Sequence, residues 1–67
     1  MKYVYVLLLL GQDHETGEID WHEAVRSKPI SFQICIENVV ETTVTLTDGG
    51  VEHRVYCEPA PEEEENT

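Results

Sequence analysis

Residues 30–50 read ISFQICIENVVETTVTLTDGG, and the parsing of this stretch decides the fold. Its first half has a period of two: Ile30, Phe32, Ile34 and Ile36 alternate with Ser31, Gln33, Cys35 and Glu37, the pattern of a strand with one buried face. In its second half Val40, Val44 and Leu46 alternate with Glu41, Thr43, Thr45 and Thr47. Strands are therefore predicted over 30–36 and 40–47. Beyond Gly50, Val51, His53, Val55 and Cys57 alternate with Glu52, Arg54 and Tyr56, which predicts another strand over 51–57. Opposed residues of an antiparallel pair share a face, so parity limits the turns. Glu37-Asn38-Val39 supplies the odd-numbered first loop. Asp48-Gly49 as a type I′ turn, or Gly49-Gly50, supplies the even-numbered second.

Toward the N-terminus, Tyr3 to Leu10 is apolar on both parities, as suits a central strand covered on both faces, here over 2–10. Gly11 to Gly17 is a polar loop. Asp20-Trp21-His22-Glu23 has the spacing of a capping box, and Pro29 closes the segment, so a short helix is predicted over 20–28. A strand competes there, since Ile19, Trp21 and Val25 share a parity. The fold expected is α+β, a four-stranded mainly antiparallel sheet in the order βαβββ with one short helix; a small five-stranded SH3-like or OB-like β-barrel is the alternative. The expected core is Val4, Val6, Leu8, Leu10, Trp21, Val25, Phe32, Ile34, Ile36, Val40, Val44, Leu46, Val51 and Val55. Tyr3, Tyr5, Leu7 and Leu9 fall on the other face of the first strand with nothing to cover them, and a homodimer using them is expected. Residues 1–57 form a single small acidic domain, and 58–67, with two prolines and five glutamates, read as a disordered acidic tail.

The eight-residue apolar run Tyr3 to Leu10 is too short for a helical membrane span, and no small-residue cleavage site follows it, so a secretory signal is not indicated. Two cysteines are too few for a disulfide framework, which sets a reduced, cytoplasmic context as the default. In the predicted meander Cys35 and Cys57 lie two strands apart, about 9.6 Å, on opposite faces, and no bond between them is expected. Asp13, Glu15, Glu18 and Asp20 miss the calcium-loop pattern, which needs glycine at the sixth position and glutamate at the twelfth, where Glu18 and Ala24 stand. His14, His22 and His53 with the cysteines match no zinc spacing. Cys35 and His53 fall on opposite faces, and no Ser/His/Asp constellation is present, so neither an enzyme nor a cofactor is indicated.

Charge is the strongest remaining signal. Fourteen Asp and Glu against four Lys and Arg leave a net charge of −10 on 67 residues, which disfavours direct contact with nucleic acid or an anionic membrane. A compact chain of this length has a radius of gyration of about 11 Å, and duplex DNA carries about 16 phosphates along such a globule, one per 1.7 Å. The protein's charge is of that order. Short length, strong acidity, a small sheet with one helix and a glutamate-rich end make the chain resemble phage-encoded inhibitors of the anti-CRISPR and DNA-mimic class. The resemblance lies in general character over the whole chain and involves no motif. It implies a non-enzymatic inhibitor that blocks a basic nucleic-acid-binding surface of a host protein complex, in the host cytoplasm. The expected contact set is Asp13, Glu15, Glu18, Asp20 and Glu23, with Glu37 and Glu41 next. The alternative is a small adaptor or structural module that binds a protein partner through a sheet edge.

Overall fold

The computed structural model describes residues 1–61 and has the order β1 (Tyr3–Gln12), β2 (Ile19–Arg26), α1 (Phe32–Asp48) and β3 (His53–Pro59). The α+β class holds. The sheet is open and three-stranded, ordered β2-β1-β3, with both neighbours antiparallel to β1. β1 is central, as its two-sided apolarity predicts. A fourth strand and a barrel are absent among the described residues. Cα extents of 42 × 29 × 11 Å and a radius of gyration of 14.1 Å describe a thin slab, more extended than the compact globule expected for this length.

The largest correction falls on residues 30–50. Instead of two strands, they form one 17-residue helix containing five Ile or Val and four Thr, residues whose χ1 stiffness costs each a few tenths of a kcal/mol in helix propensity, about 0.3–0.7. Burial and capping overcome that preference. Cys35, Val39, Thr42 and Leu46 are the helix positions least exposed to solvent, and their spacing of four, three and four residues is a helical stripe. Ser31 is the N-cap, its Oγ accepting the Ile34 N–H at 3.2 Å. At the other end the Val51 N–H bonds the Leu46 carbonyl at 2.9 Å and the Gly50 N–H bonds the Thr47 carbonyl at 3.1 Å, with Gly50 at φ 73°. This is a Schellman motif with glycine at the left-handed position. The glycine pair that looked like a hairpin turn is a helix cap.

Residues 20–28, expected as a helix, belong instead to β2 and the segment after it. Asp20 does not cap a helix; its carboxylate accepts the neighbouring Trp21 N–H at 2.7 Å. The register between β1 and β2 slips between Leu7 and Leu8, where Leu7 opposes Val25 and Leu8 opposes Glu23. Ala24 is the extra residue of this bulge, and it reverses the facing of all that follows. Ile19 and Trp21 therefore face one side and Val25 the other, despite their shared parity.

The helix lies on the face of β1 that carries Tyr3, Tyr5, Leu7 and Leu9. Tyr3 stacks on Phe32 with ring centroids 4.8 Å apart, and the Tyr5 hydroxyl hydrogen-bonds Thr42 Oγ1. The stripe expected to be bare is thus partly covered by α1, which removes the reason for assigning it to a dimer interface. A Cys35–Cys57 disulfide, contrary to expectation, ties the helix to β3 with the Cα atoms 6.2 Å apart. The separation expected from the meander does not arise, because Cys35 is on a helix packed against β3 and Cys57 faces it.

Among the described residues Val4, Tyr5, Val6 and Cys35 are the buried ones. Most of the predicted aliphatic core on 30–50 is exposed, since it lies on the outer surface of α1. β3 continues through Glu58 and Pro59, which oppose Val4 and Tyr3, and the Ala60 N–H bonds the Lys2 carbonyl at 3.0 Å. The strand thus enters the segment expected to be tail; the rest of that expectation, from residue 62 on, lies outside the described residues.

Candidate protein-binding surface

Register divides the sheet into two chemically different faces. The face away from α1 presents Val4, Val6, Leu8 and Leu10 of β1, flanked by Trp21, Glu23 and Arg26 of β2 and by Arg54, Tyr56 and Glu58 of β3. Both arginines of the protein are on this side and both are engaged. Arg26 donates from Nε and Nη1 to Glu23 at 3.0 Å and Glu58 at 3.1 Å, contacts that hold its guanidinium above the ordinary arginine range. Arg54 lies over the Trp21 ring, its Cζ 4.4 Å from the ring centroid. Long polar side chains thereby roof the central valines, and Val6 has no solvent exposure.

The helix side is acidic where the far face is charge-balanced. α1 carries Glu37, Glu41 and Asp48 and no basic residue. Glu37 and Asp48 are on the helix surface turned from the sheet and Glu41 is on its flank beside Tyr5 and Leu7, while Ile36, Val40 and Val44 form an apolar row of which the last two are 56% and 63% exposed. α1 packs on β3 and β1 without approaching β2. Beside it the helix-side surface of β2, carrying Val25, His22 and Asp20, lies open.

The expected contact residues separate into three places. Asp13, Glu15 and Glu18 are in the β1–β2 loop and Asp20 is at the start of β2. Asp13 is committed to holding that loop: its Oδ1 accepts the N–H groups of Glu15 at 2.7 Å and Thr16 at 3.1 Å, and these bonds keep its carboxyl below the usual range. Gly17 completes the loop at φ 76°, donating to the Asp13 carbonyl at 2.8 Å. Glu23 belongs to the arginine face. Glu37, expected in the first hairpin loop, and Glu41, expected on the strand after it, are both on the helix. Asp48, Val25 and the Ile36–Val40–Val44 row completing the helix-side surface were not expected there. The four-residue spacing of Ile36, Val40 and Val44 could have revealed the row.

Catalytic and metal-binding geometry is sparse. Both cysteines are consumed by the disulfide, so neither is a free thiol for a nucleophile or a metal. Among the described residues no three His, Cys, Asp or Glu side chains converge, and no helix is long and apolar enough to cross a membrane. Comparison with protein-family models, curated proteins and solved structures finds no match.

Proposed function

We propose that this chain is a non-enzymatic inhibitor that occupies a basic, nucleic-acid-binding surface of a partner protein, and that it does so with its helix side. The observation that carries this reading is charge distribution: Arg26 and Arg54 are engaged on the far face, while α1 presents Glu37, Glu41 and Asp48 with no base of its own and no ion pair among the described residues. Such a surface steers toward basic grooves and places exposed aliphatic side chains where contact can then be made. The resemblance to phage anti-CRISPR and DNA-mimic proteins fits this use.

A partner that handles nucleic acid implies the cytoplasm. The Cys35–Cys57 disulfide favours an oxidising compartment instead. Acid quenching of producing cells followed by alkylation of free thiols separates the two: alkylated cysteines place the protein in a reducing compartment, blocked ones outside it.

The test of the inhibitor reading is capture from host lysate on immobilised protein, followed by elution with duplex DNA or with salt. Release of a nucleic-acid-binding protein by both supports it, and a captured partner that neither displaces argues against it. The adaptor reading has its own support, because the outer edges of β2 and β3 are unpaired among the described residues. It requires a partner held at high salt.

A further inference from the structure

We infer that the open half of the helix-side sheet face is a docking groove for a basic amphipathic helix of the partner. The inference rests on the inhibitor reading and specifies what its acidic side receives. α1 covers β1 and β3 and, among the described residues, makes no contact with β2. Between helix and sheet runs a shallow groove of about 310 Å³, with Tyr5 and Leu7 on its floor and Glu41, Thr42, Thr45 and Leu46 on its wall. The floor extends sideways, because Leu7 opposes Val25 and Leu9 opposes His22. Val25 is 43% exposed on that surface.

The dimensions suit a helix. Strands are spaced about 4.8 Å apart, so the middle of β2 lies about 7 Å from the β1–β3 seam beneath α1. Helices pack with axes about 8–10 Å apart, and one laid beside α1 would therefore sit over β2. The 17 residues of α1 give a wall about 25 Å long at 1.5 Å per residue. The occupant would bury an apolar stripe on Leu7, Leu9 and Val25.

Charge decides which helix enters. The wall bears Glu41, Glu37 and Asp48 on the surface of α1 turned from the sheet add to the field around it, and α1 has no base to pair with an acidic guest. Asp20 is on the β2 side, opposite Gly11. A second copy would bring its own net charge of −10 into this rim. A guest with Lys or Arg flanking its apolar stripe meets carboxylates on both sides.

The probe is a synthetic Leu/Lys amphipathic peptide of about 18 residues, long enough to match the wall, with a Leu/Glu peptide of the same pattern as control. Methyl NMR on the full chain should show shifts at Leu7, Leu9 and Val25 and little change at Val4 and Val6 on the far face. Val25→Lys and Glu41→Lys, each checked by thermal melting for an intact fold, should each weaken Leu/Lys binding at least about tenfold, and the Leu/Glu peptide should not bind. Salt-sensitive binding that leaves the groove methyls unmoved and ignores Val25→Lys overturns the groove while leaving the acidic-surface reading standing. No binding of the Leu/Lys peptide at low salt overturns both. A dimer in sedimentation that Val25→Lys dissociates shows that the groove holds a second copy, and also overturns the inference.

Discussion

Cys35 of α1 and Cys57 of β3 form the one covalent tie between helix and sheet. Cys35 is fully buried, and among the described residues the other buried ones are Val4, Tyr5 and Val6. With so small a core the tie weighs heavily. Closing a segment with a sequence separation of 22 stabilises by about 3 kcal/mol in the chain-entropy account. Thermal melts with and without reductant should therefore differ by more than about 10 °C, since each kcal/mol moves the midpoint of a domain this small by about 4–8 °C. Helix content, followed by circular dichroism, should fall with the sheet. Equal midpoints would show that apolar contacts alone hold α1 in place.

That dependence explains which parts of the fold were legible in the sequence. β1 was readable because an apolar run on both parities has few uses other than a central strand. α1 was not, because its Ile, Val and Thr residues satisfy a period of two and a helical spacing together. What separates those readings is Cys35, Val39, Thr42 and Leu46 meeting β1 and β3, a tertiary fact absent from local pattern. β2 was obscured by the capping-box spacing of Asp20 and Glu23, which favoured a helix over the strand suggested by the parity of Ile19, Trp21 and Val25, and the bulge at Ala24 put Val25 on the face opposite to the one that parity gives. The acidity of the candidate site was plain from composition. Its placement was not, because the partition of Glu23 from Glu37 and Glu41 follows from register and from the helix.

The C-terminal cap of α1 gives a sharp contrast between adjacent glycines. Gly50 has φ 73° whereas Gly49 is at φ −83°, so only Gly50 needs the left-handed region. Gly50→Ala should destabilise by about 1 kcal/mol. At Gly49 a new Cβ would be 3.5 Å from the Thr45 carbonyl oxygen, an ordinary contact, and Gly49→Ala should be nearly silent. Denaturant midpoints of the two variants check this; equal losses would contradict the Schellman assignment.

The β1–β2 loop should respond to acid through Asp13. Its carboxyl is held below the usual range by the N–H groups of Glu15 and, secondarily, Thr16. A folded-state pKa below the unfolded one stabilises the fold above the unfolded value, and this contribution is lost as pH falls through the folded value. Amide exchange at Glu15 and Thr16 should accordingly rise at acid pH relative to its intrinsic rate, and Asp13→Asn should flatten that dependence. Protection that stays constant through the carboxylate range would show that the loop is held by the Gly17 and Glu18 backbone bonds alone.

The two acidic regions should also separate in partner binding. Exposed ion pairs contribute about 0–1 kcal/mol each, so single Glu→Gln changes will be hard to detect. Grouped reversals are more informative. Glu37→Lys, Glu41→Lys and Asp48→Lys together invert the helix side while leaving Arg26 and Arg54 engaged on the far face. This triple variant should lose most affinity for a captured basic partner and most of the salt dependence of what remains. Reversing Glu15 and Glu18 in the loop should mainly slow association, because charges away from the contact steer encounter more than they hold the complex. Asp13 is left intact in that variant because it builds the loop. Association and dissociation rates measured at two ionic strengths distinguish these effects. If reversal of the loop pair raises the dissociation rate while reversal of the helix triad leaves it unchanged, the partner docks on the β1–β2 loop and not on α1.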